Sequence, residues 1–231
     1  MTTDTRDNAR MFDDIAGSYD CLNHLLSLNI DRSWRRQAIR MLKPFNPRQI
    51  LDVATGTGDF AIAALSLNPD HITGVDVSAG MLGKARVKIG RKGYDNKISL
   101  VRAPSESLPF QDNSFDAATV AFGVRNFDDP VQGLSEIHRV LKPGGVLAVL
   151  EFSLPEQKLL LQAYRFYFHR ILPVIGKVIS KDMDAYLYLP ESVEAFSKGK
   201  EFVGLLDRAG FKGTACRLLT AGICGLYSGT K

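Results

Sequence analysis

A chain of 231 residues, 45% hydrophobic and 23% charged, can bury a substantial core and has the balance of a single globular domain rather than a disordered or fibrous chain. Its 29 basic and 25 acidic residues leave a net charge of +4, too small and too dispersed an excess to point to nucleic acid. Cys21, Cys216 and Cys224 form neither a C-x-x-C pair nor an even framework, and the four histidines lack ligand spacing, so no disulfide and no metal are expected and a reducing cytoplasm is.

The opening Met-Thr-Thr-Asp-Thr-Arg-Asp-Asn has no apolar signal core, and no run reaches the roughly 18 apolar residues of a membrane span. Any membrane contact is therefore expected to be peripheral. Up to about Leu42 the pattern is a helical arm, in which Ile30, Trp34, Ala38 and Met41 form a stripe that should pack on the core. Tyr19 and Asn23, four apart on one helical face, are placed to line a site that this arm covers.

From about Gln49, short β-branched runs alternate with helical patterns, the signature of parallel strands joined by crossover helices. Strands are expected at Gln49 to Val53, His71 to Val75, Ile98 to Arg102, Phe115 to Ala121 and Gly145 to Glu151. The helices are Gly58 to Leu67, Ala79 to Arg91 and Pro130 to Leu141, the last with Pro at its first position. An insertion from about Pro155 to Phe196 has apolar Leu160, Tyr164, Phe168, Ile171, Ile175 and Val178 at helical spacing, with Pro173 breaking the run. Such a stripe is ordinarily core, yet the aromatics with Arg165, Arg170 and Lys177 also suit an anionic membrane surface. Phe211 to Leu219 and Gly222 to Tyr227, separated by Thr220-Ala221, read as an antiparallel edge pair. The expected fold is α/β: a doubly wound, Rossmann-like seven-stranded sheet, mostly parallel, in one domain over 1–231, with ligand at the C-terminal strand ends.

At the first of those ends lies Asp52-Val53-Ala54-Thr55-Gly56-Thr57-Gly58-Asp59, where Gly56 and Gly58 let backbone N–H groups approach a ligand. Asp76 ends the second strand, placed to accept from two ribose hydroxyls. Taken alone, this pairing also matches a dinucleotide fingerprint. Asp59 and Asp52 separate the two, because they would repel a pyrophosphate at the helix N-terminus and suit the cationic tail of S-adenosyl-L-methionine. Alternatively, Asp59 only caps its helix and Asp52 is a satisfied strand-end residue. After the third strand, Pro104 and Ser105 stand where an adenine would be gripped, with the Ser105 N–H as donor. Arg125 and Asn126 follow the fourth strand, where a substrate would meet the ligand; Arg125 paired with a structural carboxylate such as Asp128 or Asp129 is the alternative.

Phe12-Asp13-x-Ile15-Ala16-x-x-Tyr19-Asp20-x-x-Asn23-x-x-x-Ser27 with Trp34, Phe122-Gly123-Val124-Arg125-Asn126, Arg139-Val140-Leu141-Lys142-Pro143-Gly144-Gly145 ending in Glu151-Phe152-Ser153, and Tyr188-Leu189-Pro190-Glu191-Ser192 run nearly end to end through the chain. Together they resemble the class I methyltransferases, and within them the ubiquinone/menaquinone biosynthesis C-methyltransferases of the UbiE and MenG type. The resemblance implies S-adenosylmethionine bound by Thr57, Asp76 and the Pro104-Ser105 position, and methyl transfer to a ring carbon of a polyprenylated quinol, demethylmenaquinol in preference to its benzoquinol counterpart. Arg125 would stabilise the phenolate oxygen that such a transfer needs and Asn126 would orient it, with Tyr19 and Asn23 lining the site. Asp31 stands where the family often has His, Pro104 where it often has Asp or Asn, Ala121 where some members have Ser, and Tyr227 where His is usual. A contact with the inner face of the cytoplasmic membrane is implied, and a homodimer is left open. Another small phenol or a sterol as substrate, and a non-catalytic module that binds S-adenosylmethionine, are the competing readings.

Overall fold

The computed structural model describes residues 30–155, 157–166, 192–193, 196 and 198–231. Tyr19 and Asn23, and all of the insertion beyond its first helix apart from residues 192–193 and 196, lie outside them. Seven strands form one sheet: β1 (Gln49–Val53), β2 (His71–Asp76), β3 (Ile98–Arg102), β4 (Phe115–Ala121), β5 (Leu141–Phe152), β6 (Lys212–Leu219) and β7 (Cys224–Thr230), in the order β3-β2-β1-β4-β5-β7-β6. β1 to β5 run parallel, and β7 lies antiparallel between β5 and β6. The expected fold class is the one observed.

Successive strand residues point to opposite faces, so Ile50 and Leu51, both fully buried, enter different cores. One face carries α1 (Asp31–Leu42), α2 (Asp59–Ala64) and α3 (Ala79–Arg91), which contribute Trp34, Ala38, Phe60, Ala85 and Ile89. The other carries α4 (Pro130–Val140) and α6 (Lys200–Arg208), with Leu134, Ile137, Phe202 and Leu206. Apolar strands covered on both faces are what a parallel sheet requires. The stripe of the arm packs as expected: Trp34 is 1% exposed, lies edge-on to Phe152, and donates from Nε1 to Thr220 Oγ1 at 2.7 Å.

Several boundaries differ, each for a local reason. The helix expected from Gly58 begins at Asp59, because Gly58 is its left-handed cap (φ 85°), and it tightens into a 3-10 turn over Leu65–Leu67. β5 starts at Leu141 rather than Gly145. The Gly144 N–H donates to the Lys231 carbonyl and the Lys231 N–H to the Gly145 carbonyl, so the chain end extends the ladder past the glycines. β7 runs from Cys224 to Thr230, not from Gly222 to Tyr227. Its last residues, Ser228-Gly229-Thr230, interrupted by a glycine that strands disfavour, are recruited by pairing with β5 on one side and β6 on the other. α6 was not expected at all, although Phe202, Leu205 and Leu206 carry a short helical stripe.

Because β1 neighbours both β2 and β4, successive crossovers leave it in opposite directions and a crevice opens at its C-terminal end.

Candidate functional site

The turn at that crevice is shaped by left-handed backbone. Ala54, Gly56 and Gly58 have φ of 52°, 55° and 85°, and a Cβ on Gly123 would stand 2.5 Å from that of Ala54. The bent loop aims the Gly56 N–H at Asp76 Oδ2, 2.8 Å away, while the Ser78 N–H donates to Oδ1 at 2.9 Å. Asp76 is thereby fixed at the strand end, where it lines the crevice.

Two cavities meet here. The larger, with about 670 Å³ of space open to solvent, is lined by Asp76, Val77, Met81, Pro104, Ser105 and Asn126 among others. The smaller, about 480 Å³, is lined by Asp31, Arg35, Asp52, Thr55, Thr57 and Asp59 among others. Ala54, Gly56, Ala121 and Phe122 line both. Phe122 holds a positive φ of 57° and stacks on Phe152 with ring centroids 4.4 Å apart, so β4 ends in a strained, fixed residue between the two spaces.

Most of the residues picked out in the sequence are thus brought together: Asp76, Pro104, Ser105 and Asn126 around the larger cavity, Asp52 and Thr57 around the smaller, Gly56 on both. Gly58 lines neither and serves as the α2 cap. Arg125 lines neither as well. Its side chain is 4% exposed, with Nη1 donating to Glu151 Oε1 and to the Phe122 carbonyl, each at 2.6 Å, and its Cζ lies 5.6 Å from the Phe152 ring centre. The pairing with a structural carboxylate, the alternative reading, forms, and Glu151 supplies the carboxylate. Asp129 instead caps α4, accepting from the Val131 and Gln132 N–H groups.

Asp59 needs a correction. It is not a bare acid at the loop: Lys88 Nζ of α3 lies 2.9 Å from Oδ1, Arg35 of α1 lies 3.7 Å from Oδ2, and Lys88 also donates to Thr57 Oγ1 at 2.8 Å. Repulsion of a pyrophosphate by Asp59 therefore fails as an argument. What replaces it is a cavity of mixed charge, which suits a zwitterion. Arg35 and Lys88 arrive from helices distant in sequence, so no loop spacing could have revealed them. Asp31, noted only as a departure, is 1% exposed and ion-paired with Arg35 one helical turn on.

Asp52 is fully enclosed, accepting from Thr55 Oγ1 and Thr119 Oγ1, each at 2.6 Å. Burial pushes its carboxyl from 3.8 up to about 6 in spite of those hydroxyl donors. The folded state thus holds a proton that the unfolded chain has lost between 3.8 and about 6, and stability falls as pH rises through that window. Asp52→Asn is expected to abolish this slope and to raise the unfolding free energy above pH 7 by roughly 1–3 kcal/mol. Urea melts of both proteins on either side of the window check it; identical pH profiles would contradict it.

A family model described as the ubiE/COQ5 methyltransferase family matches residues 1–231. A demethylmenaquinone methyltransferase of Bacteroides fragilis is 52% identical, over 96% of this chain and 91% of that protein. A ubiquinone/menaquinone biosynthesis C-methyltransferase UbiE of Geobacter sulfurreducens is 48% identical, over 96% and 87%. Among solved structures, a SAM-dependent methyltransferase of Thermotoga maritima superposes with a TM-score of 0.66 at 24% identity, covering 96% of this chain and 99% of that one, a likeness of fold.

Proposed function

Since the chain belongs to the ubiE/COQ5 methyltransferase family and uses S-adenosylmethionine as methyl donor, we propose that it methylates a ring carbon of a prenylated quinol, converting demethylmenaquinol to menaquinol. The observation that carries this reading is a single cavity lined both by Asp76, fixed by two backbone N–H groups, and by Asn126, at the C-terminal edge of the sheet.

When bound, S-adenosylmethionine supplies a methyl group made electrophilic by its sulfonium. Asp76 accepts from the ribose hydroxyls, and the Ser105 N–H donates to the adenine ring, with Val77 and Met81 as its apolar walls. A ring carbon is a good nucleophile when its neighbouring hydroxyl is ionised, and a phenol of pKa near 10 is mostly protonated at pH 7. Asn126 orients that oxygen or the water that takes its proton. Arg125 acts through its neighbours: it holds the Phe122 carbonyl, which Asn126 Nδ2 also approaches at 3.5 Å. Incubation with labelled S-adenosylmethionine and prenylated demethylnaphthoquinol should put label into the quinol fraction. Equal labelling of simple phenols or a sterol would overturn the substrate class.

A water-insoluble tail favours catalysis at a lipid surface. Supporting this, Leu159 and Phe166 on α5 (Lys158–Phe166) are 81% and 62% exposed and, seven apart, share a face, while Tyr164 packs on the core. Among the described residues no helix is long and apolar enough to cross a membrane. Flotation with anionic vesicles should carry the protein upward, and Leu159→Ser with Phe166→Ser should weaken this by more than about 100-fold, since each buried CH₂ contributes about 0.8 kcal/mol, roughly a factor of four. A protein that stays wholly in solution would make the segment ordinary surface.

A further inference from the structure

The smaller cavity holds a cation that no loop motif supplies. Arg35 stands on α1 with its side chain 9% exposed and lines this cavity beside Gly56 and Thr57. Among the described residues its ion pairs, to Asp31 Oδ2 and to Asp59 Oδ2, both run through Nη2. A guanidinium carries five N–H donors, so the N–H groups on its Nε and Nη1 remain for another partner. A carboxylate is the acceptor with which such charged donors form their strongest hydrogen bonds. The remaining charges fit an amino acid: Asp31, Asp52 and Asp59 line the same space and give it acidic groups that favour an ammonium.

We infer that Arg35 receives the α-carboxylate of the donor's methionine portion, with Asp31 as the positioning residue that fixes the guanidinium, so that α1 completes the cofactor site. This rests on the seating of the nucleoside in the larger cavity, which shares the wall of Ala54, Gly56, Ala121 and Phe122 with the smaller one. It gives the N-terminal arm a second duty beyond covering the core: the helix that buries Trp34 on one turn presents Arg35 to the cofactor on the next position. A ligand with an amino-acid tail would then hold α1 against the loop, and one without it would not.

The test compares two ligands that share the adenosine and the sulfur, S-adenosylhomocysteine with the amino-acid tail and 5′-methylthioadenosine without it. Removing Arg35 alone would leave the Asp31 carboxylate buried without its cation, so the variant that protects the fold is Asp31→Asn with Arg35→Gln, accompanied by Arg35→Lys, which keeps the charge and loses the spread of guanidinium donors. Calorimetry is expected to show S-adenosylhomocysteine binding weakened by about 10- to 100-fold in the double variant, as for loss of a hydrogen-bonded charge. Methylthioadenosine should change by no more than about twofold. Arg35→Lys should fall between. Parallel loss of both ligands, or no loss of either, would overturn the inference and leave the pair a clamp within α1. Failure of the unaltered protein to bind either ligand would instead sink the seating of the nucleoside.

Discussion

Arg125→Ala is expected to destabilise the protein by about 3–5 kcal/mol, the effect of leaving one member of a buried ion pair alone. The pair is nearly dry, with side chains 4% and 1% exposed, and Glu151 Oε1 also accepts from the Phe152 N–H, so it cannot turn to water without unmaking the end of β5. Replacing both charges avoids that cost, so Arg125→Met with Glu151→Gln should unfold close to the unaltered protein in urea. This stable variant separates two roles for the arginine. If Arg125 fixes the Phe122 carbonyl and through it Asn126, the variant should bind S-adenosylhomocysteine normally while kcat falls on the order of 10²-fold, as for a small misplacement of a reacting group. Normal turnover in the stable variant would make the pair purely structural.

Asp76→Ala should weaken S-adenosylhomocysteine binding by about 1.5–3 kcal/mol, roughly 10- to 150-fold, in a protein that remains folded. Two losses add here. The ribose loses its acceptor, and the Gly56 and Ser78 N–H groups lose the carboxylate that holds the glycine loop in its bent form. Asp76→Asn keeps one carbonyl acceptor and should fall between. Nicotinamide dinucleotides should bind neither protein. Unchanged calorimetric affinity in Asp76→Ala would remove the residue from the site.

Much of the frame was legible because its signals are local. The strands β1 to β4 and the helix Ala79–Arg91 were read at or within one residue of their observed limits, since apolar runs and glycine turns act over a few residues. Asp76 was legible for the same reason: a carboxylate that ends an apolar strand has few structural uses. Asp59 was misread because its balancing charges come from α1 and α3, which only the packed sheet brings to the loop. That the carboxylate paired with Arg125 is Glu151 was hidden for the same reason. Ala121 pairs with Leu150 across β4 and β5, and it is this register that brings Arg125 to Glu151, where proximity along the chain had pointed to Asp128 or Asp129. β7 was misplaced because its last residues are held by two neighbours and not by their own propensity.

The account is tested most directly by giving the protein donor with a trideuterated methyl group together with equal concentrations of prenylated demethylnaphthoquinol and the demethylated benzoquinol, and locating the label by mass spectrometry. The predicted result is a naphthoquinol heavier by one trideuteromethyl less one ring hydrogen, with the label on a ring carbon and formed faster than the benzoquinol product. Label on a hydroxyl oxygen, or none in either quinol while S-adenosylhomocysteine still binds, would contradict it.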